Sequence, residues 1–123
     1  MSNWRSTLAT NSDIKTDIEA NTEPSGLALS TKQLHLVRQL LRQNLPDHRA
    51  WAFGSRVTGH SRKYSDLDIA VSHSQALPFL RLCQLSIAFE ESDLDICVDI
   101  VDWLQASPEF RKSVEQSGMV RLQ

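Results

Sequence analysis

Apolar residues along the chain fall into runs of two different periods, separated by polar breakers. From Leu34 they recur at helical spacing, Leu34, Val37, Leu40, Leu41 and Leu45, which predicts one buried helical face. Ser30 stands ahead of the run as a cap, Gln33 completes a capping box, and Leu29 with Leu34 forms a hydrophobic staple. Pro46 stops the helix. Residues 50–53 read as a short strand ending at Gly54-Ser55, and a short helix follows to about Gly59. A polar, basic loop over residues 60–64 leads to a second strand over residues 66–71. Residues 78–90 suit a helix with proline in its first turn, packing through Phe79, Leu82, Cys83 and Ile87. A third strand spans residues 96–101. Ser107-Pro108 starts a last helix, Gly118 ends it, and residues 119–122 suit a short final strand. This alternation predicts an α/β (α+β) domain, a small mixed β-sheet with helices packed on one face.

Residues 1–25 lack that order. They are rich in Ser, Thr, Asn and Asp, with Trp4 and two isoleucines scattered among them. They read as a flexible tail with a transient helix near residues 14–20, and residues 26–123 as the single working domain. The chain of 123 residues carries 13 basic and 15 acidic residues, a formal net charge of −2. A protein that grips duplex nucleic acid by its phosphates is normally basic, so nucleic acid is not expected as the main partner. No secretory signal and no apolar run of membrane-spanning length is present, which points to a cytoplasmic protein with no membrane partner. Cys83 and Cys97 sit in apolar runs and read as buried structural thiols.

Candidate chemistry concentrates between Trp51 and Asp68. Gly54-Ser55 lies where a strand meets a helix. Glycine admits close backbone approach and the helix start favours phosphate, while the Ser55 hydroxyl, Arg56, Arg62 and Lys63 add donors and positive charge. Asp66 and Asp68 stand two apart on a predicted strand, so both carboxylates share a face while Leu67, Ile69 and Val71 take the other. Neighbouring acids on a strand repel, and a cation between them removes the conflict. Mg²⁺ suits such a pair because it takes oxygen ligands, usually one or two carboxylates plus substrate phosphates. Asp99 interrupts the apolar run over residues 96–101. If that strand lies beside the second, Asp99 joins Asp66 and Asp68 on one face. Three carboxylates beside a phosphate-binding turn suit a two-metal site for in-line displacement.

In combination, Gly54-Ser55-Arg56, Ser65-Asp66-Leu67-Asp68 and Val98-Asp99-Ile100-Val101 resemble the DNA polymerase β-type nucleotidyltransferases, most closely their minimal (MNT) branch. The resemblance covers residues 30–122. It implies a polymerase β palm-like fold. It implies Asp66, Asp68 and Asp99 as catalytic metal ligands, with two Mg²⁺ ions or Mn²⁺ in their place. It implies Gly54, Ser55, Arg56, Lys63 and Ser65 as nucleotide-binding residues. The implied reaction moves a nucleoside monophosphate, AMP above all, from an NTP such as ATP to an acceptor. MNT proteins resemble one half of paired systems whose other half is an all-helical HEPN protein. The resemblance therefore also implies a HEPN-type partner in a hetero-oligomer, or else a homodimer, with the MNT protein as an antitoxin that modifies its toxin.

Other features read as bland. Ser92-Asp93-Leu94-Asp95 repeats the tetrapeptide at Ser65 but lacks an upstream Gly-Ser turn, so it reads as a solvated loop. His35, His48 and His60 read as surface residues, His60 with a further possibility of phosphate contact. Trp51 and Phe53 read as core. Two rival accounts stand beside the enzyme. In one, a non-catalytic module holds a nucleotide or a helical HEPN subunit. In the other, the acids are surface decoration.

Overall fold

The structure, a computed structural model, describes residues 26–123. The expected tail and its helical stretch lie outside the described residues. The first helix, α1 (Thr31–Asn44), begins where the sequence asks for it. The Gln33 N–H donates to Ser30 Oγ at 3.0 Å and the Ser30 N–H donates to Gln33 Oε1 at 2.9 Å, so the capping box is closed. Leu29 and Leu34 are both buried, as a staple requires.

The remaining elements are β1 (Arg49–Phe53), α2 (Ser55–Thr58), β2 (Leu67–Ser72), α3 (Phe79–Glu90), β3 (Val98–Asp102), a 3₁₀ turn (Trp103–Gln105), α4 (Pro108–Ser117) and β4 (Val120–Arg121). The strands form one mixed sheet in the order β3-β2-β1-β4. β1 runs antiparallel to both β2 and β4, whereas β2 and β3 are parallel. Parallel neighbours need a crossover, and α3 supplies it.

The main core lies on one face of the sheet. Ala50, Ala52, Leu67, Ile69 and Val71 pack there against Leu34, Val37 and Leu41 of α1 and Leu85 and Phe89 of α3. α3 differs from expectation in which of its faces it buries. Leu85 and Phe89 are buried and Leu82 partly so, while Phe79 and Ile87 are exposed. Both sets follow helical spacing, so periodicity alone could not choose between them.

The opposite face is covered in part. Phe53 and Ala70 pack there with Val114 of α4, flanked by Val101, Trp103 and Met119. Phe110 of α4 meets Phe53 edge-on at 5.8 Å. Thus α1 and α3 share one face as predicted, and α4 occupies part of the other, beside the acids.

Three further expectations need correction. His48 is buried, and its ring stacks on His73 at 4.8 Å. It follows the turn after α1 and so falls at the sheet's end rather than on the surface. The cysteines are not buried thiols: Cys83 is half-buried and Cys97 exposed. Cys97 directly follows buried Ile96, and alternation turns it outward. Trp51 is only half-buried, with the Arg121 guanidinium 5.3 Å from its ring centre.

Candidate active site

The site is built at the end of the sheet where β1 stops and β2 and β3 begin. The parallel register sets Asp68 directly beside Asp99, and the antiparallel register sets Phe53 opposite Asp68. Paired residues share a face, so both acids project on the α4 side, away from the main core. Leu67 and Ile69, whose side chains point the other way, are fully buried. Asp66 lies one residue ahead of the first ladder position and is exposed.

Asp68 is half-buried, and its burial pushes the carboxyl above the usual carboxylate range. The charges of Asp99 and then Asp66 push it further in the same direction. The three acids therefore feel one another electrostatically. Among the described residues, however, no three acidic, histidine or cysteine groups stand close enough to form a ready ion cage. The acids make a negatively charged floor rather than a closed shell. That fits an ion which takes part of its coordination from phosphate oxygens and water.

Gly54 explains how Asp68 finds room. Its backbone stands at φ 82°, ψ −156°, a region essentially restricted to glycine. A Cβ built there would lie 2.1 Å from Asp68 Oδ2, so the carboxylate occupies the space a side chain would fill. The Gly54-Ser55 turn and the acid are thus packed against each other. Beyond the turn a cavity of about 320 Å³ opens, with Gly54, Ser55 and Thr58 on one side and Ser113 and Ser117 of α4 on the other. The α4 serines were not legible as site residues, because nothing in the sequence placed α4 on this face.

The basic residues divide. Lys63 is exposed, its ammonium 5.2 Å from the Tyr64 ring centre. Arg56, in contrast, is 6% exposed, and its guanidinium points inward. It donates to the carbonyls of Ser65 at 3.0 Å, Ala28 at 2.7 Å, Lys63 at 3.0 Å and Arg62 at 3.4 Å. Ser65 is also engaged: its Oγ accepts the Arg62 N–H at 2.8 Å. His60 is exposed, with Nδ1 3.1 Å from Thr58 Oγ1. The second Ser-Asp-Leu-Asp stretch is a loop, as expected, and its Asp95 accepts from Gln33 Nε2 at 3.0 Å.

Comparison with known proteins agrees with this geometry. The family model described as "Polymerase beta, Nucleotidyltransferase" matches residues 35–121. A Haemophilus influenzae protein named "Probable protein adenylyltransferase MntA" is 43% identical over 94 residues, covering 76% of this chain and 82% of the relative. A crystal structure of a toxin-antitoxin with AMP-PNP superposes with a TM-score of 0.62 at 30% identity, covering 73% of this chain and 72% of the other. A structure of a tri-AMPylated Shewanella oneidensis HEPN toxin in complex with MNT antitoxin gives a TM-score of 0.60 at 28% identity, covering 77% and 72%. The sheet that seats Asp68 beside Asp99, the Gly54-Ser55 turn packed on Asp68, and these matches together place the chain in the polymerase β-type nucleotidyltransferase family.

Proposed function

We propose that the protein is a Mg²⁺-dependent adenylyltransferase that moves AMP from ATP to a helical HEPN-type partner, as the antitoxin of a toxin–antitoxin pair. The observation that carries this reading is the pairing of Asp68 with Asp99 beside the Gly54-Ser55 turn. The relative named an adenylyltransferase, and the solved antitoxin complexes with AMP-PNP and with an AMPylated HEPN toxin, supply the nucleotide and the partner class.

The residues divide the work. Gly54 lets the turn close onto Asp68, and the Ser55 hydroxyl at the start of α2 donates to the triphosphate. Lys63 adds positive charge from the loop. Asp66, Asp68 and Asp99 hold Mg²⁺, or Mn²⁺ in its place. The raised proton affinity of Asp68, set first by burial and then by the charges of Asp99 and Asp66, is a conflict that a bound cation would relieve. When bound, the metal supplies charge neutralisation at the phosphates. The acceptor hydroxyl attacks the α-phosphorus as the bond to pyrophosphate breaks. Asp99, the most exposed side of the pair, takes the hydroxyl proton. The protein contributes mainly orientation and electrostatics. No described helix is long and apolar enough to cross a membrane.

Incubation with α-labelled ATP, Mg²⁺ and a lysate of the source cells tests this. We expect label on a single protein of HEPN type, absent with an Asp66→Asn/Asp68→Asn variant. Label on RNA or on a small molecule would redirect the acceptor assignment. No transfer from any of the four NTPs would leave the non-catalytic binding module as the better account.

A further inference from the structure

Arg56 sits in the Gly-Ser-Arg stretch, yet it turns away from the phosphate side. A buried guanidinium is tolerated only where hydrogen bonds replace its hydration. Arg56 achieves this with four backbone carbonyls, three of which belong to the turn over residues 62–65. That turn is closed on itself as well: the Ser65 N–H donates to the Arg62 carbonyl at 3.1 Å, and the Arg62 N–H to Ser65 Oγ at 2.8 Å. The fourth carbonyl is that of Ala28, whose own N–H donates back to the Arg56 carbonyl at 2.8 Å. Arg56 thus buckles three separate stretches of chain, residues 26–29, α2 and the turn.

The turn ends one residue before Asp66. Asp68 and Asp99 are placed by the sheet, through their ladder partners. Asp66 has no ladder position. Its backbone is fixed between Ser65, held by Arg56, and Leu67, whose N–H donates to the Cys97 carbonyl at 2.9 Å.

We propose that Arg56 is a positioning residue: by gripping the carbonyls of the 62–65 turn it sets Asp66 where it can share an ion with Asp68. The inference rests on the reading of Asp66 and Asp68 as metal ligands. It removes Arg56 from the nucleotide-binding set and gives it a task that its planar fork performs and a lysine does not. Arginine offers five N–H donors in fixed directions, which reach carbonyls on divergent strands of chain. Lysine offers a point charge with three donors at one place.

The test is Mn²⁺ binding by the full chain, followed by electron paramagnetic resonance with and without ATP, alongside a thermal melt. Arg56→Lys is expected to melt lower than wild type, because one ammonium cannot satisfy all four carbonyls, yet to stay folded at the temperature of the binding measurement, where Mn²⁺ binds about tenfold more weakly, the usual range for losing a group that orients a ligand. Asp66→Asn, which removes the ligand itself, should weaken binding at least as much, and Arg56→Lys combined with it should add little further loss. If Arg56→Lys unfolds the protein, Ser65→Ala tests the same link, since it opens the turn from the other side. That variant should also weaken Mn²⁺ binding at unchanged melting temperature. Wild-type Mn²⁺ affinity in Arg56→Lys or in a folded Ser65→Ala would overturn the proposal. So would unchanged Mn²⁺ affinity with a weakened affinity for ATP, which would return Arg56 to the phosphates. Binding of Mn²⁺ is read apart from transfer, so a chain that binds the ion but transfers nothing would sink the catalytic reading and leave this one standing.

Discussion

At Gly54 and Asp68 the protein accepts two local costs to make one site. The glycine holds a conformation that costs other residues about 1–3 kcal/mol, and the carboxylate it admits is half-buried beside two like charges. Gly54→Ala is therefore expected to lower stability by about 1–3 kcal/mol in a denaturant titration. By displacing Asp68 it should also cut transfer by about 100-fold or more, the scale of a misplaced catalytic group. Asp68 makes the opposite prediction for stability. Its folded-state proton affinity is raised, so the fold is most favoured with the carboxyl protonated, and stability is lost as pH rises through the folded value. Without metal, Asp68→Asn should then melt higher than wild type at neutral pH. The difference should vanish below the ordinary aspartate value of 3.8, where both states are protonated. Added Mg²⁺ should raise the melting temperature of wild type and not of the variant. The shared face of Asp68 and Asp99 was legible from the strand period and one interrupted apolar run, whereas Asp66, expected on the same strand as Asp68, falls one residue ahead of it. The inward turn of Arg56 was not, because a guanidinium bound to carbonyls leaves no pattern in the residues around it.

Among the elements, the helices declared themselves to different degrees. α1 combined a capping box, a staple and a single apolar face, and its start agrees with expectation to the residue. Ser30→Ala should cost about 1 kcal/mol, measured by denaturant unfolding, since Gln33 loses its acceptor. α3 was ambiguous because it carries two apolar faces, and only the sheet beneath it selects Leu85 and Phe89. The far end of the sheet carries a second pH-sensitive feature. Both ring nitrogens of His48 are buried, without a hydrogen-bond partner among the described residues. Burial lowers its proton affinity first, and the nearby His73 and Arg81 charges lower it further against the opposing pull of Asp102 and Asp47. For a histidine lowered in the fold, stability is full above its unfolded value of 6.5 and is lost as pH falls below it. Melting temperature should therefore drop between pH 7 and pH 5, and His48→Phe, which keeps a stacked ring but cannot take a proton, should flatten that slope. An unchanged slope would place the acid sensitivity elsewhere.

On the scale of the whole molecule, the sheet separates structure from chemistry. Its one face packs aliphatic side chains from all three longer strands under α1 and α3. Its other face carries Asp68 and Asp99 and is only partly covered by α4. The order of elements and the shared face of the acids could be read from alternation and breakers. The position of α4 could not, because a ten-residue helix with one buried position, Val114, leaves too little apolar pattern to say which face it covers. Among the described residues that flank is open, and on the proposed reading an acceptor carried by a second protein would reach the α-phosphorus there. The most direct test is the intact mass of a HEPN-type partner after incubation with this protein, ATP and Mg²⁺. We predict the partner gains the mass of one or more adenylyl groups, that the gain requires Mg²⁺, and that it is lost with Asp68→Asn. A partner that binds the protein yet keeps its original mass, with ATP left intact, would contradict a transferase and identify a binding module instead.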